Sequence, residues 1–393
     1  MVKKDKVRLG DVCTIVSGTT PKTGTKEYWD GELNWITPAE LSDDIDIIYK
    51  TERKITNKAV TESSLKLLPV GTVLLSSRAP IGKVAIVGSP MYCNQGFKNL
   101  ICSNSIFNKF LYWFLKGKKD FLNSLGRGAT FKEISKSIVA DIQIPLPPLS
   151  EQKKIAAILD KATELIALRK QQIEKLDLLV KSRFIEMFGD MGVNSYDWPE
   201  ILLQEACRHP NDIKCGPFGT QLNKSEYQSV GVPLLGIPQI NSFFNKPATD
   251  FVSEAKSKEL AAYSLLPGDI AMSRKGNVGM CALYPEHFPN GIIHSDVLRI
   301  RINRSKFHPI FILMQLHHSP KIKTQVEVVS SGAIMAGINV TKLKSIAIYA
   351  PPLHLQEEFA AFVQKVDKSK STLQQSLEKL ELNYKALMQT YFG

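Results

Sequence analysis

The 43 residues that open PPLSEQKKIAAILD at Pro147 are written again at the end of the chain, as PPLHLQEEFAAFVQ from Pro351. At a fixed offset of 204, with no gap, 15 of the 43 positions are identical. They include Gln152/Gln356, Ala156–Ala157/Ala360–Ala361, Lys161/Lys365, Gln171/Gln375, Glu174–Lys175–Leu176/Glu378–Lys379–Leu380, Leu178/Leu382, Lys181/Lys385 and Phe188–Gly189/Phe392–Gly393. The chain is internally duplicated, so its fold must have two related halves.

Both copies carry a helical period. Ile155, Leu159, Ala162, Ile166, Ile173, Leu176 and Val180 advance in steps of four and three, with Arg169 interrupting. Phe359, Val363, Val366, Leu373, Leu377, Leu380 and Tyr384 do the same, with Lys370 interrupting. Sustained 3.5-residue spacing predicts a coiled-coil seam. The two interruptions fall at different levels, which fixes register if the copies pack on each other. Proline before each start and glycine at each end are the expected punctuation. About 40 residues at about 1.5 Å each reach roughly 60 Å, further than a small domain is wide. Each copy reads as a strut.

The remainder repeats more weakly. LLPVGTVLLSSRAPIGKVAIV from Leu67 parallels LLPGDIAMSRKGNVGMCALY from Leu265, each predicting a strand, a turn holding Ser-Arg, a glycine and a second strand. The aromatic-rich helical segments FNKFLYWFLKG and FHPIFILMQLHH occupy matching places. The expected organisation is a mixed α/β chain of four parts: a globular domain over 1–148, a central helix over 149–189, a second globular domain over 190–350 and a terminal helix over 351–393.

The chain carries a net charge of +12, of which residues 1–148 hold +7, 190–350 hold +3, 149–189 hold +2 and 351–393 none. An excess on the globular parts favours an acidic partner such as nucleic acid. No apolar run is long enough for a membrane span, and MVKKDKVRLGDV has no apolar core of a signal peptide. The six cysteines form no CxxC pair and read as reduced thiols of a cytoplasmic protein.

Catalytic signatures do not appear. There is no GxxxxGK[ST], no GxGxxG after a strand, no HExxH, GxSxG or kinase set, and no Asn-Pro-Pro-aromatic tetrapeptide. Asp46 with Glu52-Arg53-Lys54 has the spacing of a nuclease D…ExK, but a solvated charged loop explains it as well. What remains is a polar inventory at turns. The first domain offers Thr19, Thr20, Lys22, Ser77, Arg78, Lys83, Asn94, Gln95, Arg127 and Thr130; the second offers Gln221, Asn223, Lys224, Ser273, Arg274, Lys275, Asn277 and Ser295. Arg reads guanine, Asn and Gln read adenine, and Ser, Thr and Lys hold phosphates, so these are candidate DNA contacts.

PLPPLxEQxxIAxILD, a helix of about 40 residues ending in FG, and GxVLLSxRxxIGKVAI together resemble the specificity subunit of a type I restriction–modification enzyme. The second strut is a looser copy, and CGPFGTQL replaces SGTTPKTG in the second domain, which suggests a different half-sequence recognised. The resemblance implies two target recognition domains of mixed α/β build, each reading half of a split site in double-stranded DNA. It implies long antiparallel helices that set the unread spacer and dock two adenine-methylating modification subunits, with restriction subunits as further partners. It implies no catalytic residue and no metal or cofactor on this chain, with S-adenosylmethionine, ATP and Mg²⁺ on the partners. The periodic residues above are then the candidates for helix–helix and subunit docking. Two rivals stand beside this reading: a stand-alone nuclease or methyltransferase with an unrecognised active site, and a coiled-coil scaffold that binds only proteins.

Overall fold

A computed structural model describes residues 6–42, 45–78, 80–128, 132–330 and 337–393. Four helices organise it: α1 (Asn108–Gly117), α2 (Leu149–Phe188), α3 (Pro309–His318) and α4 (Leu353–Phe392). The chain forms two compact units, Met1–Lys170 with Gln375–Gly393, and Gln171–Gln374. The division falls inside α2 and α4, so each unit contains part of both long helices.

The first unit holds strands β1 (Lys6–Arg8), β2 (Cys13–Ser17), β3 (Trp29–Ile36), β4 (Ile47–Ile48), β5 (Lys54–Ile55), β6 (Val73–Leu75), β7 (Val84–Val87), β8 (Tyr92–Cys93), β9 (Lys98–Cys102) and β10 (Gln143–Pro145). They form sheets ordered β2-β9-β6-β7-β4 and β5-β3-β8, and β1 pairs antiparallel with β10. The second unit holds β11 (Glu200–Leu202), β12 (Ile213–Cys215), β13 (Val232–Leu235), β14 (Phe251–Val252), β15 (Ile270–Ser273), β16 (Cys281–Leu283), β17 (Ile292–Ile293), β18 (Val297–Ile300) and β19 (Ala347–Tyr349). Its sheets run β12-β18-β15-β16 and β14-β13-β17, with β11 on β19.

The weak sequence repeat is therefore a strong topological one. β6–β7 pairs Val73 with Ile86, and β15–β16 pairs Ile270 with Leu283, both antiparallel. The parallel step between β3 and β8, Trp35 to Tyr92, recurs between β13 and β17, Leu234 to Ile292. β6 and β7 are apolar without alternation because both faces of the sheet are covered, on one side by Phe110, Leu111 and Phe114 of α1.

Two of the duplicated residues explain themselves here. Gln152 is fully buried; its Oε1 accepts from Phe107 N–H at 2.8 Å, and its Nε2 donates to Pro147 O at 2.8 Å and Ser105 O at 3.0 Å. Gln356 does the same in the second unit, accepting from His308 N–H at 2.9 Å and donating to Pro351 O at 2.7 Å. Each glutamine thus ties the mouth of its long helix to the start of the short aromatic helix, where backbone groups lack helical partners. Phe392 lies against Phe110 and Phe114, with ring centroids 5.2 and 5.7 Å away. Phe188 lies against Phe311 at 4.7 Å. The terminal Phe of each strut is a core residue of the unit in which that strut ends.

Both units pair α2 with α4. In the second, Asp177 takes Lys370 at 2.5 Å and Glu358 takes Arg183 at 3.0 Å, an antiparallel arrangement. The Lys370 that interrupts the apolar period thus pairs across to the other long helix. In the first unit Lys170 meets Glu381 at 3.2 Å.

The second unit also holds an acid-sensitive pair. Burial lowers the pKa of His317, whose Nε2–H donates to Cys281 O at 2.8 Å. Burial, helped by His317, Lys181 and Lys323, lowers that of His318 to about 4. The unfolded chain takes up these protons near pH 6.5 and the folded chain does not, so their contribution is whole above pH 6.5 and lost as pH falls towards 4. His318→Gln is expected to flatten the fall of melting temperature across that window; an unchanged slope would place the acid sensitivity elsewhere.

Candidate nucleic-acid interface

In the first unit the turns that follow β2, β3 and β6 meet the β8–β9 turn. Thr19 N–H donates to Cys93 O at 2.9 Å, and Ser77 N–H to Gly96 O at 2.7 Å. Ile134 N–H then donates to Ser77 O at 3.0 Å, bringing in the segment after Arg127. Gly18 is required here, because a Cβ would stand 1.9 Å from Asn94 O. The second unit repeats the junction. Gly216 N–H donates to Val297 O at 3.1 Å, Arg274 N–H to Asp296 O at 3.0 Å and Ile338 N–H to Arg274 O at 3.0 Å. A Cβ at Gly216 would lie 2.2 Å from His294 O. Most of the turn residues singled out in the sequence are thus gathered at one loop cluster per unit.

Their side chains differ in availability. Lys22, Gln95 and Arg127 are exposed, as are Gln221, Asn223, Lys224, Lys275 and Asn277. Thr19, Thr20, Arg78, Asn94 and Ser295 are half-buried. Asn94 is engaged within the cluster, donating to Thr20 Oγ1 at 3.1 Å and accepting from Gly96 N–H at 2.5 Å. Lys275 pairs with Asp296 at 2.9 Å. Thr130 lies outside the described residues.

Three expectations need correcting. Ser77 and Ser273 have no exposed surface, so they build the turn and do not reach outward. The Lys83 ammonium caps the carbonyls of Leu41 at 2.6 Å and Pro38 at 3.4 Å. Most consequential is a shift of one residue between the two Ser-Arg turns. Ser76 N–H bonds Lys83 O and Gly82 N–H bonds Ser76 O; Ser273 N–H bonds Met280 O and Gly279 N–H bonds Ser273 O. Ser273 therefore matches Ser76, and Arg274 matches the buried Ser77. Its Nη1 is held by Cys215 Sγ at 3.0 Å and Ser295 O at 3.3 Å, while Lys275 occupies the place of Arg78.

The sequence reading missed two groups that hold the first cluster. Lys98, buried on β9, bonds Glu133 at 2.9 Å and keeps its carboxyl below the usual range. Trp35 and Trp29 donate from Nε1 to Thr19 O at 3.1 Å and Lys22 O at 3.3 Å, and the Arg53 guanidinium stacks 4.0 Å over Trp29. That stack was legible only as two tryptophans six residues apart with no stated partner. Asp46, the first member of the nuclease-like string, accepts from Tyr112 and from Lys116 at 3.2 Å. Among the described residues no three His, Cys, Asp or Glu side chains gather as a metal site. No described helix is long and apolar enough to cross a membrane.

The seam residues on the long helices also divide. Ile155, Leu159, Val180, Phe359, Val363 and Val366 are buried in clusters that also contain residues of the other long helix, so in the free chain they pack inward and present no open surface. Ala162, Ile166, Ile173, Leu176, Leu373, Leu377, Leu380 and Tyr384 are half-buried along the helix pairing.

The model of the type I restriction modification DNA specificity domain matches this chain twice, over residues 1–178 and 216–382. The chain is 28% identical over 378 residues to the MjaIX specificity subunit of Methanocaldococcus jannaschii, covering 92% of this chain and 86% of that one. It is 23% identical to the EcoKI specificity subunit of Escherichia coli, covering 83% and 74%. The crystal structure of a type I restriction–modification S subunit from M. genitalium superposes with a TM-score of 0.61 at 17% identity, over 100% of this chain and 97% of that one. A chain from a structural study of type I system assembly and conformational transition superposes at 0.63 with 19% identity, over 99% and 97%.

Proposed function

Because this chain belongs to the type I restriction–modification DNA specificity family, we propose that it is the sequence-reading subunit of such a complex. Each globular unit reads one half of a bipartite site in double-stranded DNA through its loop cluster. The observation that carries this reading is the repeated junction itself: the same backbone bonds at Gly18 and Gly216, and at Ser77 and Arg274, present different side chains in the two units. One scaffold with two sets of loop residues suits two different half-sites. The chain works in the cytoplasm without catalytic residues of its own; S-adenosylmethionine, ATP and Mg²⁺ belong to its partners.

A second feature concerns those partners. Of the residues identical in both struts, Gln171, Glu174, Lys175, Leu178 and Lys181 are exposed, and so are Gln375, Glu378, Lys379, Leu382 and Lys385. At 100° per residue they fall on one arc of the helix, opposite Ile173, Leu176 and Val180. Leu178 is 62% exposed and Leu382 is 65% exposed. The packed seam changes between copies at Ile173 to Leu377 and Val180 to Tyr384, while these five outward positions are kept among neighbours on the same arc that change, Ser182 to Ala386 and Ile185 to Gln389. A face kept twice without a packing role fits two copies of one modification subunit, with restriction subunits joining that assembly.

Purifying the tagged chain from its native host, followed by native mass spectrometry, tests the reading. Two copies of an adenine methyltransferase per chain are expected, together with methylated adenines at a split motif in the host DNA. Recovery of the chain alone, or methylation or cleavage by the chain alone, would overturn it.

A further inference from the structure

The two loop clusters differ in one respect that goes beyond a choice of hydrogen-bonding side chains. The loop after β12 runs Cys215-Gly216-Pro217-Phe218-Gly219, and the Phe218 ring is 62% exposed. Its root is held tightly: Gly216 lies against the His294 carbonyl, and Pro217 is buried. The backbone is extended at Phe218 (φ −147°) and turns at Gly219 (φ +63°), a conformation that favours glycine. The ring therefore stands at the rim of the cluster on a braced loop. Beside it opens a cleft of about 520 Å³, also lined by Leu222, Lys224, Tyr227, Asp250 and His294. Exposed Gln221, Asn223 and Lys224 follow on the same loop. The matching loop of the first unit, Gly18-Thr19-Thr20-Pro21-Lys22, has no aromatic residue.

Resting on the reading proposed above, we infer that Phe218 is a stacking wedge: its ring enters a base-pair step of the half-site read by the second unit and packs on an exposed base face. An apolar ring between groups that hold phosphates and base edges is the arrangement by which proteins open and kink a step. A base face stacked on an aromatic ring is a sequence-tolerant contact, so the wedge selects a deformable step and leaves base identity to its neighbours. The wedge is placed in the second half-site, because the matching loop of the first unit carries no aromatic residue.

The test uses the full chain with its co-purified partners and the site mapped from methylated host DNA. Duplexes carry 2-aminopurine at each position of both half-sites in turn. Binding is expected to raise fluorescence at the methylated adenine positions, where the modification subunits take a base out of the stack, and at one further step confined to one half-site. Phe218→Ala should abolish that rise and weaken binding by about tenfold or more, the size of a lost base–aromatic stack. Phe218→Trp should restore both. A fluorescence profile and affinity unchanged in Phe218→Ala, or the absence in the wild type of any enhanced position other than the methylated adenines, would overturn the wedge while leaving DNA reading intact. A rise that survives Phe218→Ala but is lost in Tyr227→Ala would also overturn it, in favour of a base extruded into the cleft. If the wild-type assembly does not bind the mapped duplex, the recognition reading itself fails.

Discussion

Gln152→Ala is expected to cost the first unit about 3 kcal/mol, and Gln356→Ala to do comparable damage in the second, because a buried backbone group stripped of its partner costs about 1–3 kcal/mol and more than one is stripped at each site. At Gln152 the Phe107 N–H loses its acceptor, while the Ser105 and Pro147 carbonyls lose a donor. No water replaces the side chain cheaply at a site with no exposed surface. The comparison that gives the experiment meaning is Gln171→Ala. Gln171 is also identical in both copies, but it is exposed, so its loss should stay within about 0.5 kcal/mol. Urea unfolding followed by tryptophan fluorescence is weighted towards the first unit, since Trp29, Trp35 and Trp113 lie there and Trp198 alone in the second. Equal small effects from Gln152→Ala and Gln171→Ala would show that the buried network adds nothing.

That contrast also marks how far the sequence could be read. The struts were legible because three signals agreed: proline at the entry, a sustained apolar period and glycine after the last turn. A duplicated pattern then supplied the second copy. What covers the apolar stripe was not legible. A period of 3.5 identifies the inward face of a helix but is the same whether that face meets another helix or the core of a domain. Ile155 and Leu159 meet a core, whereas Ile166 and Ile173 lie along the helix pairing. The loop clusters were legible as composition and misread in detail. Both turns contain Ser-Arg, yet the backbone bonds match Ser77 with Arg274 and Arg78 with Lys275. Residue identity is a poor guide in a turn, since the hydrogen-bond pattern is set by the glycines at 82 and 279 and tolerates many side chains around them. The Lys98–Glu133 pair was invisible for a related reason: the two are 35 positions apart, and only the folded chain brings β9 beside Glu133.

The outward face kept in both struts makes the largest functional prediction. Leu178→Glu is expected to remove one modification subunit from the purified assembly, Leu382→Glu to remove the other, and the double variant to lose both while the chain alone still binds its DNA. Leu178 and Leu382 leave a large apolar side chain in water at matching positions of two helices, and a residue that anchors an interface loses about 2 kcal/mol or more when truncated. A buried carboxylate without a partner costs more than truncation. Folding should be untouched, since both side chains face solvent in the free chain and glutamate is a good helix former. Native mass spectrometry of the co-purified assembly counts the copies directly. If the double variant keeps both partners, the face is a solvated surface and its duplication has some other cause. If each single variant loses both partners together, the two sites are coupled and binding is all-or-none, which would contradict two independent uses of one face. Loss of one copy per substitution is the outcome that ties the duplicated surface to two identical partners.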